Sequence, residues 1–62
     1  MERIRELRKK ANLTQSQLSK CLGIDTSAVS LWETGKSMPT ADKLPDLAKI
    51  LGCTIDELFE EE

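Results

Sequence analysis

The stretch LGIDTSAVSLWETGK, residues 22–36, decides the fold that the sequence predicts. Its apolar residues recur at the spacing of one helix face, which is therefore expected to be buried; they are Ile24, Ala28, Val29 and Trp32. The opposite face carries small polar residues and one leucine where most surface helices carry long charged side chains: Thr26, Ser27, Ser30, Leu31 and Thr34. A surface helix with so few charges is unusual, and the residues before it indicate its role.

A very short connection precedes this helix. An amphipathic segment ends at Leu22, after which Gly23 can take a positive φ and Asp25 can cap the next helix. So short a link forces the two helices to cross steeply, which is the geometry of a helix-turn-helix. In that motif the second helix projects from the protein and enters the major groove of DNA.

Capping signals mark the starts of two other helices. Thr14 with Gln17 and Thr54 with Glu57 each have the spacing of a capping box, and each lies between two apolar residues. The last helix is expected over about residues 55–59, with the acidic end beyond it fraying.

The remaining boundaries follow from apolar spacing, glycine and proline. A first amphipathic helix is expected over about residues 2–11, and Gly35 and Gly52 are natural stops for the third and fourth helices. Pro45 cannot donate a backbone hydrogen bond inside a helix, so the fourth helix is expected to begin near it, after a separate turn at about residues 40–43.

Length and composition agree with one small helical domain over residues 1–62. The 62 residues are 39% hydrophobic and only 3% aromatic, which favours a compact all-α core of aliphatic side chains in five short helices. No stretch resembles a signal peptide or a membrane-spanning run, so we expect a cytoplasmic protein that does not contact membranes.

Residues suited to catalysis or metal binding are scarce. The chain has no histidine, and its two cysteines, Cys21 and Cys53, lie far apart in sequence. This leaves no metal-ligand set of ordinary spacing and no base to activate a thiol. We therefore expect reduced thiols, no metal, no cofactor and no enzymatic activity.

The formal net charge of −2 hides a strong polarity along the chain. Residues 1–20 hold six basic and two acidic residues, a net +4, whereas residues 37–62 hold seven acidic and two basic residues, a net −5. A basic end beside a helix-turn-helix is compatible with nucleic-acid binding.

A series of short motifs runs through nearly the whole chain in a fixed order. They are Ile4 to Leu7, Leu13-Thr14-Gln15, Leu18, Leu22-Gly23-Ile24, Val29, Trp32-Glu33, Gly35-Lys36, Pro39, Leu47-Ala48, Leu51-Gly52 and Glu57-Leu58-Phe59. Together they resemble the phage repressor and Cro-like (XRE-type) helix-turn-helix regulators. The resemblance implies a lambda-repressor-like fold in which helices 2 and 3 form the helix-turn-helix.

The same resemblance implies which residues read DNA bases. In the family, base-reading positions on the third helix correspond to Thr26, Ser27, Ser30 and Leu31. A sparsely charged face suits a helix lodged in a groove about 12 Å wide. Family members often carry Arg, Lys or Gln at some of these positions, and this sequence does not. Discrimination per base is therefore expected to be low, with water or DNA shape contributing.

Phosphate contacts are expected from the ends and flanks of the helices. Gln15 begins the second helix, where free N–H groups and the helix dipole favour an anion, and in the family this position contacts the DNA backbone. The main expected phosphate contacts are Gln15 and Lys36, just past Gly35, and the weaker ones are Thr34, Lys20 and Lys9.

Arg8 and Glu33 occupy positions that family members often pair between the first and third helices. The resemblance implies a structural ion pair that orients the third helix. The alternative is two independent exposed charges, although an unpaired Glu33 would repel DNA.

The last helix, through Ile55, Leu58 and Phe59, and the loop after Gly35 are expected to lie nearest the partner in a dimer, as is common in the family. Glu60 to Glu62 oppose close approach, so the homodimer is expected to be weak without DNA. The sequence thus predicts a small transcriptional regulator, a repressor, that binds a palindromic operator in double-stranded DNA. The alternative is a protein-interaction module that keeps the fold without binding DNA.

Overall fold

The computed structural model describes residues 1–59, which form five helices. Residues 60–62, on which the predicted fraying and repulsion of the acidic end depend, lie outside the described residues. The helices are α1 (Glu2–Lys10), α2 (Gln15–Leu22), α3 (Thr26–Thr34), α4 (Leu44–Leu51) and α5 (Ile55–Leu58). The predicted all-α, five-helix fold is confirmed.

The capping boxes form as the sequence predicts. The Thr14 hydroxyl accepts from the Gln17 backbone N–H at 3.0 Å, and the Gln17 side chain accepts from the Thr14 N–H at 2.8 Å. The same reciprocal bonds join Thr54 and Glu57 at 3.1 and 3.0 Å. These bonds satisfy backbone donors that the first turn of a helix cannot satisfy itself.

Asp25 differs from its predicted role. It has the extended backbone of an N-cap residue, but its side chain makes no capping hydrogen bond. The start of α3 is instead set from the preceding turn, where Gly23 takes a φ of +69° and the Ile24 N–H bonds the Ser19 carbonyl at 3.0 Å. This left-handed residue ends α2 and redirects the chain at once into α3.

Pro45 lies in the first turn of α4, after a turn at residues 41–43, as predicted.

The hydrophobic core contains one or more apolar side chains from each helix, because every helix presents a single apolar stripe. Its members are Ile4, Leu7, Leu18, Leu22, Val29, Trp32, Leu47, Ala48, Leu51 and Leu58. Within residues 1–59, no helix has the length and apolar character that crossing a membrane requires.

Candidate nucleic-acid interface

The outer face of α3 carries no charged side chain that points into solvent. Ser27, Leu31 and Thr34 are exposed, Leu31 by 42%, and Ser30 is half-buried. Glu33 is the one charged residue between Thr26 and Thr34, and its side chain is only 4% exposed. Short hydroxyls and one branched aliphatic side chain are therefore what this helix offers to a partner.

Thr26 is less open than the sequence suggested. It is half-buried, and its hydroxyl lies 3.1 Å from that of Ser19, a residue only 2% exposed. Ser19 donates its hydroxyl proton to the Ser16 carbonyl at 2.8 Å, so Thr26 must be the donor in the Thr26–Ser19 bond. The Thr26 oxygen can then only accept from a base, and its methyl group remains for apolar contact.

The Thr34 hydroxyl is already engaged within α3. Its hydroxyl donates to the backbone carbonyls of Ser30 and Leu31, at 3.1 and 3.2 Å, on its own helix. A phosphate offers acceptors alone, so contact through this hydroxyl requires the proton to be withdrawn from the helix. These bonds make Thr34 a weaker candidate for a phosphate contact than Lys36, which is the order that the sequence also gives.

Arg8 and Glu33 form the ion pair that the family resemblance implies. Arg8 Nε donates to Glu33 Oε2 at 2.6 Å and Arg8 Nη2 donates to Glu33 Oε1 at 3.2 Å, a two-point contact between α1 and α3. Arg8 Nη1 also donates to the Leu13 carbonyl at 2.8 Å. One guanidinium thus joins α1, the entry to α2, and α3.

Gln15 extends this network to the start of α2. Its side-chain Nε2 donates to Glu33 Oε1 at 3.1 Å. Burial alone would raise the pKa of Glu33. Hydrogen bonds from Arg8 and then Gln15, with the positive charges of Arg8 and Arg5, outweigh burial and leave the pKa below its usual value. Glu33 is therefore held as a carboxylate that orients Gln15 at the helix end.

The three lysines expected to contact phosphates are all exposed. Lys9 lies in the last turn of α1 and Lys20 in the last turn of α2. Lys36 follows the left-handed Gly35 directly, and its backbone N–H bonds the Leu31 carbonyl at 3.1 Å, which fixes the chain beyond α3. Of these lysines, Lys9 lies with Gln15 and Thr34 around one shallow cleft, and Lys20 and Lys36 lie outside it.

The predicted dimer residues divide into two groups. Ile55 and Phe59 are 39% and 48% exposed, so a partner could cover them. The expectation for Leu58 is wrong, because its side chain is 1% exposed in the core and cannot contact a partner while α5 stays packed. Met38, 58% exposed, adds apolar surface in the loop after Gly35, which the sequence places near the partner without singling out this residue.

Neither thiol belongs to a recognisable site. Cys21 is exposed and Cys53 is half-buried, and both are free. Burial, followed by the charge of Glu57, raises the pKa of Cys53 above its usual value, which keeps it protonated and unreactive. Among the residues from 1 to 59, no three potential metal ligands come together.

Comparison with known proteins matches residues 4–58 to a helix-turn-helix family. The chain is 41% identical over 61 residues to the HTH-type transcriptional activator BcrR of Enterococcus faecalis, covering 98% of this chain and 30% of that protein. It is 39% identical over 59 residues to Repressor protein C2 of Salmonella phage P22, covering 95% and 27%. It is 47% identical over 53 residues to the HTH-type transcriptional regulator DicA of Escherichia coli K12, covering 86% and 39%.

The chain therefore spans between a quarter and two fifths of the length of these relatives. No solved structure shows a significant match to it.

Proposed function

Because this chain belongs to the phage repressor and Cro-like (XRE-type) helix-turn-helix family, we propose that it binds specific sequences of double-stranded DNA as a small transcriptional regulator. The observation that carries the proposal is the outer face of α3. Ser27 and Leu31 are exposed there, and the helix's one charged residue, Glu33, is turned inward and paired with Arg8. A helix with such a face can enter the major groove without bringing uncompensated charge to the base edges.

Base contacts are assigned to Thr26, Ser27, Ser30 and Leu31. A serine hydroxyl can donate to or accept from a base edge, and Leu31 or the Thr26 methyl group can pack against thymine methyl groups. None of these side chains can make the two-point contacts of Arg with guanine or Gln with adenine. We therefore infer that part of the specificity comes from bridging water and DNA deformability.

Phosphate contacts are assigned first to Gln15 and Lys36, with Lys9 and Lys20 as further cations. Gln15 begins α2, where the helix dipole favours an anion, and its amide is already oriented by Glu33. Thr34 stays in the set as the weaker contact, because its hydroxyl already donates to its own helix.

The active species is proposed to be a two-fold dimer on a palindromic operator, acting as a repressor in the cytoplasm. Ile55 and Phe59 supply exposed apolar surface at α5, and the P22 relative is named as a repressor. The protein-interaction alternative rests on the acidic net charge and on the sparsely charged outer face of α3. The acidic charge lies mainly in the second half of the chain, and Gln15 and Lys36 together with a basic first helix favour DNA over this alternative.

Selection of bound duplexes from a random DNA pool tests the proposal. We expect enrichment of two inverted half-sites whose centres lie about one helical turn, or about 34 Å, apart. Enrichment of a single half-site without fixed spacing would refute the dimer. Failure to enrich any sequence, with no duplex bound at low salt, would refute DNA binding and favour the protein-interaction alternative.

A pair of substitutions separates base reading from backbone positioning. Lys36→Ala removes a cation assigned to phosphates, which are the same in every sequence, so specific and random duplexes should both bind more weakly. The slope of log affinity against log salt should fall by about one unit per protomer. Ser27→Gln should leave that slope unchanged and shift base preference toward adenine, because a long amide can bond adenine at two points.

Thermal unfolding of both variants is the control, and both should stay close to the parent because Lys36 and Ser27 are exposed. The position assigned to α3 would be wrong if the Lys36 variant changed base preference while the Ser27 variant kept the parent's.

A further inference from the structure

A small polar side chain is buried within the helix-turn-helix. Ser19 of α2 is 2% exposed and follows Leu18, a member of the core. Its hydroxyl donates to the Ser16 carbonyl of the same helix at 2.8 Å. A local bond of this kind competes with the hydrogen bonds of the helix itself, so it gives no advantage over an alanine at this position. The other contact of the Ser19 hydroxyl crosses to α3.

That second contact fixes the direction of a hydrogen bond. Ser19 Oγ lies 3.1 Å from Oγ1 of Thr26, in the first turn of α3. A carbonyl can only accept, so the single hydroxyl proton of Ser19 is used on Ser16. Thr26 therefore supplies the proton that lies between the two hydroxyl groups. Its oxygen keeps a lone pair for a second partner, and its half-buried side chain leaves that lone pair within reach.

The direction of this bond matters at a base edge. In the major groove, the N6 amino group of adenine and the N4 amino group of cytosine donate, whereas O6 and N7 of guanine and O4 of thymine accept. A free threonine hydroxyl can bond either kind of group. A Thr26 hydroxyl whose proton is held by Ser19 can bond only an amino group.

We propose that Ser19 is a positioning residue that sets the base preference of Thr26 without touching DNA. Because Ser19 holds the Thr26 proton, Thr26 selects adenine or cytosine on the strand that it faces and discriminates against guanine and thymine. The proposal rests on the proposed function, in which Thr26 faces the base edges. It adds a residue of α2 to those that determine the operator sequence.

Four proteins test the proposal: the parent, Ser19→Ala, Thr26→Val and the double variant. Ser19→Ala frees the Thr26 proton, and Thr26→Val replaces the hydroxyl with a methyl group. Neither substitution adds bulk, so the fold is expected to remain, which thermal unfolding checks. Ser16→Ala is the matched control, because it removes an exposed hydroxyl from α2 and keeps the backbone carbonyl that Ser19 bonds.

Selection from a random duplex pool gives the base preference of each protein at every position of its site. The position at which Thr26→Val loses the parent's preference is the one that Thr26 contacts. There the parent should prefer adenine or cytosine by about three- to tenfold, the effect of one hydrogen bond between neutral groups. Ser19→Ala should lower this preference to less than about twofold, because a free hydroxyl also bonds guanine and thymine. Ser16→Ala should keep the parent's preferences.

The double variant shows whether Ser19 acts through the Thr26 hydroxyl. If it does, adding Ser19→Ala to Thr26→Val changes base preference no further. An equal effect of Ser19→Ala in both backgrounds would mean that the substitution shifts α3 as a whole, and it would overturn the proposal. The proposal would also be overturned by a parent that prefers guanine or thymine at this position, or by a Thr26→Val protein that keeps every preference of the parent.

Nuclear magnetic resonance of the hydroxyl protons provides a readout that does not depend on DNA. The Thr26 hydroxyl proton should give a resonance in the parent, because its bond to the buried Ser19 slows exchange with water. This resonance should be lost in Ser19→Ala and kept in Ser16→Ala. A parent that gave the resonance but bound no duplex would overturn the proposed function, and with it the role of Ser19 in base preference. A parent that bound specific duplexes without the resonance would overturn the role of Ser19 alone.

Discussion

Replacing Arg8 with alanine is expected to lower the free energy of unfolding by about 3 to 5 kcal/mol, the usual cost of breaking a buried ion pair from one side. The two side chains are 11% and 4% exposed, and the guanidinium also holds the Leu13 carbonyl. Its loss leaves the Glu33 carboxylate nearly buried, with Gln15 as its remaining side-chain donor. Because a 62-residue domain has a stability of only about 3 to 9 kcal/mol, this loss is a third or more of the total, and the denaturant concentration at the unfolding midpoint should fall steeply.

A double-mutant cycle in chemical denaturation isolates the pair. The cycle compares Arg8→Ala, Glu33→Gln and the double variant. We expect a coupling energy of at least about 1 kcal/mol, because a neutral amide at position 33 does not need Arg8 as a partner. Lys10→Ala on the same helix is the matched control and should change stability by less than about 0.5 kcal/mol. A coupling energy of zero would mean that the pair does not stabilise the protein.

Acid unfolding measures the same interaction. The pKa of Glu33 is lower in the folded state than in the unfolded state, where it is about 4.3. The Glu33 carboxylate therefore stabilises the protein fully above about pH 4.3. This stabilisation is lost as the pH falls through the lower pKa of the folded state. Below about pH 4.3 the parent should lose stability more steeply than Glu33→Gln. Parallel curves for the two proteins would contradict the assignment of that loss to Glu33.

Features that depend on neighbours within one turn of helix could be predicted from the sequence. Thr14 with Gln17 bond across three residues, and Pro45 affects only the turn that contains it. Such signals give the starts of α2, α4 and α5 because no distant contact is needed to interpret them. The burial of Trp32, 6% exposed, likewise follows from its spacing after Val29.

The structure differs from the sequence predictions where a residue outside the local helical turn decides the outcome. Thr26 belongs to the outer face by periodicity, but Ser19, seven residues earlier, binds its hydroxyl. Ser19 lies beside Leu18 on the buried side of α2, and a polar residue in that position was the one available signal. Leu58 looked available to a partner because α5 is short, yet the core surrounds it completely.

The shallow cleft that Arg5, Lys9, Gln15 and Thr34 line also depends on contacts that the local sequence does not show. Arg5 reads as an ordinary surface residue of an amphipathic helix, and nothing near it in sequence links it to Gln15 or Thr34. Packing of α1 against α3 brings these residues together, with the Arg8–Glu33 pair between them. The pair itself was predictable only through the family resemblance, because its members are 25 residues apart.

Raising the salt concentration from 50 to 200 mM is expected to weaken duplex binding by about 10²- to 10⁴-fold, if the dimer neutralises about four to eight phosphates. Each neutralised phosphate releases counterions, so affinity falls as a power of salt concentration. The net charge of −2 alone would predict the opposite result. A protein with that charge spread evenly would be repelled by DNA, and added salt would screen the repulsion and strengthen binding. It depends instead on the net +4 of residues 1–20, which include the start of α2.

Equilibrium titrations of a selected duplex at four or more salt concentrations give the slope. Lys49→Gln is a suitable control, because Lys49 is exposed on α4 in the acidic half of the chain and its removal should leave the slope unchanged. Lys36→Gln should reduce the slope by about one unit per protomer. An affinity that stays constant across this range would show that cations contribute little through phosphate contacts, and the roles assigned to Lys36 and Lys9 would then be wrong.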